Sequence, residues 1–488
     1  MPTVPLPSEP NLDHLRHQAH DLHEAIRAGD PEAIAHANEH DGTAGTSLAA
    51  AQRVIARHYG FPTWSALRRY VDVVTEYTRT PDVSPGDDDL ADEFLRLACL
   101  TYGGDEGPDR RARARELLAA NPSIRTANIY VAAANADAAA VRTELANEPE
   151  LANRQGGPHR WQPLLYLAYA RHDPGVAVDA VLDTARVLLA HGADPNAGFL
   201  WHGLPTPFTV LTGVFGEGEL GPNRQPRHPH SLALAELLLK AGADANDGQA
   251  LYNRMFQSDD SHLALLLAHG LGTGDGGPWR ARLGSAVDSP DRLLHRQLHW
   301  AIVHDQRERV RLLVEHGADV HSTMDTAYGP PNQVARTPVE LAVLNGNTEI
   351  AAYLLAQGAP AAELDPVDAF VAAVLSGAPV DASIAPAARA ARPALIVWAA
   401  AKRRHDAVAL LASLGFDVNA RGRGDVPVEQ PWQTALHEAA AAGNIELGRL
   451  LLDLGADPTI RDARFDATPL DWARHLGRHH FAAFLESR

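Results

Sequence analysis

Three groupings of residues in this 488-residue chain could carry chemistry. The first is Gly216-Glu217-Gly218-Glu219-Leu220-Gly221, a literal G-x-G-x-x-G. That motif cradles a pyrophosphate when a strand precedes it and a helix N-terminus follows. Here Glu217 and Glu219 would repel phosphate, Pro222 follows, and no strand–helix–strand pattern surrounds it, so a flexible insert is expected. The second grouping is histidine, of which there are 25. His14, His17, His20 and His23 recur every third residue, but at about 100° per residue they spiral round a helix rather than share a face. His228 with His230, and His475 with His479, are pairs only. With no nearby cysteine and no H-E-x-x-H, neither a metal site nor a cofactor is expected. The third is a nucleophile with its base. No G-x-S-x-G, S-x-x-K or P-loop occurs, so the chain leans toward a non-enzymatic reading, although the order of a spatial triad along a chain is free.

The residues must be positioned by a recurring phrase. Leu450-Leu451-Leu452-Asp453-Leu454-Gly455-Ala456-Asp457-Pro458 is one copy, and Leu188–Asn196 and Leu238–Asn246 are others. Looser copies end at Gly270, Gly317, Gly358 and Gly415. The leucines close an amphipathic helix, the glycine ends it in the left-handed region, and Asp or Asn opens a tight turn. A second phrase precedes the first: Thr434-Ala435-Leu436-His437-Glu438-Ala439-Ala440, Thr468-Pro469-Leu470-Asp471-Trp472-Ala473, and Thr337-Pro338-Val339-Glu340-Leu341-Ala342. Threonine is the expected N-cap, and proline at the first helical position loses no hydrogen bond.

These phrases resemble the ankyrin repeat, whose period is about 33 residues; Thr434 and Thr468 lie 34 apart. The resemblance is strong from Arg296 to the C-terminus, clear from Gln162 to Gly270, and weaker over Asp88–Asn153 and Ala361–Arg392. It implies an all-α solenoid of roughly eleven stacked helix pairs with projecting finger turns and no β-sheet domain. Its implied function is recognition of a protein partner along the concave and finger surface.

The division expected is an extended tail over 1–10, a helical module over 11–79, a linker over 80–89, and the repeat array with insertions over 90–488. In the module, Leu12, Leu15, Ala19, Leu22 and Ile26 fall on one helical face. A helix ending at Gly60 precedes the anchors Phe61 and Trp64. This resembles a short module at the front of some bacterial ankyrin proteins and would cap the array. Inserts between paired helices fall around Tyr102–Asp109, Arg171–Asp179 and Gly213–Ser231; longer fingers fall at Gly198–Pro205, Gly272–Trp279, Thr323–Val334 and Ala420–Gln433.

The formal net charge of −18 disfavours nucleic acid and anionic membrane as partners. No apolar run reaches the roughly 18 residues of a membrane span, and the start lacks a signal-peptide pattern. The single cysteine, Cys99, excludes an internal disulfide and fits a reducing cytoplasm. Abundant Ala, Arg and Pro fit a high-GC bacterial genome.

Tryptophans divide by repeat position. Trp300, Trp398 and Trp472 each precede an alanine of a first helix and are expected to pack between repeats. Trp161, Trp201, Trp279 and Trp432 lie in fingers, where aromatic and arginine residues on a rigid frame make binding anchors. The candidate partner-binding set is therefore Arg160, Trp161, Trp201, His202, Trp279, Tyr328, Arg336, Arg423, Trp432 and Phe465, of which Arg160, Trp161, Trp201, Trp432 and Arg423 are expected to be largely solvent-facing. Two alternatives stand beside protein recognition: an enzymatic or small-molecule site in the groove near the inserts at 198–231, using His202, Arg224, His228 and His230, and a self-assembling scaffold.

Overall fold

The computed structural model describes residues 4, 6–7, 10–41, 45–83, 89–321, 323, 335–424 and 430–488. Helix dominates, with 28 α-helices among the described residues. The chain forms two compact units, Met1–Leu294 and His295–Arg488.

The capping chemistry accounts for where helices begin. Thr337, Thr468 and Thr434 each close a reciprocal capping box with the residue three positions on: Glu340, Asp471 and His437. Pro338 and Pro469 occupy the first helical position. The leucine–glycine endings terminate as expected: Gly242 has φ +100° and Gly455 has φ +95°.

In the first unit the first helices lie side by side in sequence: Leu90–Ala98, Ile129–Ala134, Pro163–Tyr169, Val210–Phe215 and Gly248–Met255. The second helices Ala138–Asn147, Val178–Ala190, Ser231–Lys240 and Ser261–Ala268 form a parallel row. In the second unit the first helices Leu395–Ala401, Ala435–Ala442 and Pro469–His475 repeat the pattern, with His405–Ser413, Ile445–Asp453 and His479–Glu486 behind them. Alanine on the first helices permits this: Ala132, Ala133, Ala168, Ala399, Ala439 and Ala440 are buried, and a larger side chain at those positions would hold neighbours apart.

Side-chain amides join successive turns. Asn153 donates to the carbonyl of Gly192 at 2.6 Å and accepts from the amide of Asp194 at 2.8 Å. Asn196 does the same to Gly242 and Asp244, at 2.9 and 2.8 Å. Asn246 reaches Thr273 and Gly272, and in the second unit Asn419 reaches Gly455 and Asp457. Each asparagine thus satisfies one donor and one acceptor that a sharp turn leaves open.

One departure from the all-helical expectation is a small three-stranded sheet in the first unit. Strand β1 (Thr78–Arg79) runs parallel to β2 (Gly198–Trp201), which runs antiparallel to β3 (Pro207–Thr209). The cause is the finger at Gly198–Pro205: its Gly198-Phe199-Leu200 run pairs with Pro207-Phe208-Thr209, and its free edge accepts the chain leaving the helix Trp64–Tyr77. That helix then packs Val74 with Leu200, Trp279 and Leu283. The last helix of the N-terminal segment therefore rests against the middle of the array in this unit.

Replacing Asn196 or Asn419 by Ala should lower stability by about 1–2 kcal/mol, since two turn groups lose their partners together. Urea denaturation measures the loss, and amide exchange at Asp244 or Asp457 should accelerate first.

Candidate functional site: an arginine–tryptophan finger surface

The finger residues have two fates. In the first unit most are structural. Trp161 is fully buried, stacked on Phe199 with ring centres 4.9 Å apart and packed against Tyr166 and Tyr169. Trp279 is buried as well; its indole donates to the carbonyl of Asn196 at 3.0 Å, with the Arg282 guanidinium 4.9 Å from the ring centre. Trp201 is half-buried and donates to the carbonyl of Thr101 at 2.9 Å. His202 pairs with Asp82 at 2.6 Å. Only Arg160 of this group is exposed, and its carbonyl accepts from buried Arg79. The expectation of a solvent-facing side chain is corrected for Trp161, and that of a partner-binding role for buried Trp279. The sheet and the helix Trp64–Tyr77 supply an interior where a bare finger would have had none.

The groups near the inserts are each bonded within the fold. Arg224 donates to the carbonyl of Glu106 at 2.8 Å and to that of Gly104. His230 pairs with the carbonyl of Val176 at 2.6 Å, while the Nδ1 of buried His228 accepts from the amide of His230. Arg171 donates to the carbonyls of Pro226, Ala168, Ala170 and Gly213. Arg110 joins Thr101 and Glu106, both at 2.9 Å. The insert arginines are spent in lashing the three inserts to one another. In the same unit Glu217, from the G-x-G-x-x-G segment, is buried in an ion pair with Arg254. That use is structural.

In the second unit the outcome differs. Half-buried Arg336 is drawn into an ion pair with buried Asp368, which Arg392 also reaches at 3.2 Å. Tyr328 lies outside the described residues. The remaining candidates come together. Gly422 and Gln433 exchange backbone hydrogen bonds at 2.8 and 3.0 Å, and the amide of Ala463 donates to the carbonyl of Trp432 at 3.0 Å. Two adjacent fingers are thereby joined. On them two guanidinium groups lie over the Trp432 ring, Arg423 at 5.3 Å and Arg464 at 5.0 Å. Arg464 also lies 5.2 Å over Phe465, which is 61% exposed. Such contacts are worth about 0.5–1 kcal/mol for each exposed pair.

Asp462 organises this surface from beneath. It is buried and accepts from the amides of Arg464, Phe465 and Ala467 at 2.8, 2.7 and 3.1 Å, and from the Trp472 indole at 3.0 Å. Burial alone would raise its pKa; these donors outweigh burial and hold the carboxyl below its ordinary value. Arg464, Asp462 and Trp472 were not among the residues picked from sequence. The adjacent Arg464-Phe465 pair was the available signal for the first. Trp472 was expected to be buried between helices; it is half-buried, with its nitrogen serving the finger. Trp300 is likewise half-buried, stacked on His304, whereas Trp398 is buried as expected.

Trp161→Ala should destabilise the first unit by about 3–5 kcal/mol, whereas Phe465→Ala should change stability by less than about 0.5 kcal/mol. Chemical denaturation of the two variants checks the contrast. A carboxyl with a lowered folded-state pKa contributes stability fully above its unfolded value, about pH 4, and loses it as pH falls through the lowered value. Asp462→Asn should therefore weaken the protein at pH 7 and narrow its difference from wild type on acidification below about pH 4, measured by thermal melts across pH.

The family model for the ankyrin repeat matches this chain at two places, residues 298–325 and 432–463, and the second match runs through Trp432 and Asp462.

Proposed function

We propose that the chain is a recognition protein that binds a partner protein through the joined fingers bearing Arg423, Trp432, Arg464 and Phe465. Ankyrin repeats generally mediate protein–protein interaction, and the observation that carries the reading is the pinned, solvent-reaching cluster in which Arg464 lies over both Trp432 and Phe465. Aromatic and arginine side chains held rigidly lose little entropy on docking, so a few anchors suffice. In this reading residues 90–488 form the ankyrin array, 80–89 a linker and 11–79 an accessory helical module. The partner is a protein that this chain holds, shields or assembles.

We place this activity in the cytoplasm. Cys99, the chain's single cysteine, is buried, and desolvation pushes its thiol up to about 12, which suits an inert core residue in a reducing compartment. No helix among the described residues is long and apolar enough to cross a membrane.

The test is affinity capture from the native host with wild type, Phe465→Ala, Arg464→Ala and, as a control at an exposed apolar site in the same unit, Leu476→Ser. Wild type and the control should retain the same partner. Each finger variant should weaken it at least about tenfold, or roughly 1.4 kcal/mol, with an unchanged circular dichroism spectrum. Retention of full affinity by both finger variants would overturn the assignment. Concentration-dependent self-association lost in the same variants would replace it with a self-assembling scaffold.

A further inference from the structure

Three histidines outside the repeat array meet in the N-terminal segment. His36 and His40 stand one turn apart on the helix Pro31–Asp41, which places them on one face. His58 is the last residue of the helix Leu48–His58. The helices are locked by Ile26, Ala37 and Val54, buried together with Leu22, Ala33 and Ile34 around them. That packing brings the three rings into mutual edge contact, with centres 4.8, 5.0 and 5.3 Å apart. His40 is buried, and His36 and His58 are half-buried at its mouth.

We propose that His36, His40 and His58 form a binding site for a zinc-class divalent ion, with solvent as the fourth ligand. One ring nitrogen from each residue lies within 4.8 Å of the others. The Nδ1 of His58 and Nε2 of His40 are 3.4 Å apart. Two nitrogens bound at 2.0–2.1 Å to a tetrahedral ion lie about 3.3 Å apart, so this pair already has the required spacing. The rest of the set must close by at most about 1.5 Å, which is within reach of small ring rotations. An all-imidazole set suits zinc and its late first-row neighbours, not magnesium or calcium, which require oxygen.

The electrostatics point the same way. Burial, and then repulsion from the neighbouring rings, lower the pKa of His36 and of His58, which keeps both in the neutral form a metal needs. The Arg57 guanidinium donates to the backbone carbonyl of His40 at 3.2 Å, tying the end of one helix to the other near the ligands. Zinc here would clamp the helix Pro31–Asp41 to the end of Leu48–His58. This departs from the sequence reading, which weighed the series His14–His23 and expected no metal. In the structure His23 instead pairs with the carbonyl of Thr46 and His17 with that of Asp13.

The test uses the full chain, stripped of metal and titrated with Zn²⁺ against a chromophoric chelator, and with Co²⁺ followed by its visible absorption. One equivalent should bind more tightly than the background of other histidines, and Co²⁺ should give the intense bands of four- or five-coordination. His36→Gln and His58→Gln alter half-exposed positions and should keep the circular dichroism spectrum. Each should weaken the tight equivalent at least tenfold and abolish a Zn²⁺-dependent rise in Tm. His316→Gln, at an exposed helix end in the other unit, should change neither. A tight equivalent unaffected by His36→Gln and His58→Gln, or no tight equivalent in wild type, would overturn the proposal and leave the three rings as packing partners.

Discussion

The asparagine that bridges one turn to the next is the interaction on which the array depends. A helix pair buries its apolar stripe only on its neighbours, so each pair must be held in register with them. Apolar packing is non-directional and tolerates sliding. The asparagine bridges supply direction, because a carbonyl and an amide of the following turn must both lie within reach of one side chain. Asn196 meets Gly242 and Asp244 only if the two helix endings match in height and rotation. The left-handed glycine is part of the same device, since it turns its carbonyl toward the incoming amide.

With the frame set this way, the fate of a finger depends on what else is near it. Tryptophan and arginine occur in fingers of both units, but burial separates them. In the first unit the helix Trp64–Tyr77 and β1 cover the segments around Trp201 and Trp279; Trp279 becomes core and Trp201 is left half-buried. In the second unit Trp432 is half-buried, with two arginines and Phe465 about its ring, and the result is a rigid surface that still reaches solvent. Asp462 makes that surface rigid at no cost in apolar area, by gathering four N–H donors under it.

The helices and their ends were legible in the sequence because their signals are local. Thr337, Thr434 and Thr468 cap as read, and the leucine–glycine endings turn where the phrase puts them. The sheet was not legible. It needs Thr78 to meet Leu200, more than a hundred residues away, and β1 is too short to carry an alternation. The candidate site was legible in part. Arg423, Trp432 and Phe465 were chosen by type and position, but the same criteria also selected Trp161, Trp279 and Arg336. The burial of the two tryptophans and the pairing of Arg336 are set by distant partners, Phe199, Asn196 and Asp368, that no local pattern reveals. The histidine cluster has no regular spacing in the sequence, since its third member comes from the next helix.

The inserts of the first unit are bound by arginines whose acceptors are mainly main-chain carbonyls: Arg171 to Pro226, Arg224 to Glu106, Arg111 to Asn223, Arg115 to His172. A carbonyl is present whatever residue carries it. Mutation is therefore received unequally on the two sides of each lash. Change of an arginine removes several bonds at once, while most changes on the accepting side leave them standing. Descendants of this chain can vary the insert side chains, and so explore new surface chemistry, while the path of the backbone is preserved.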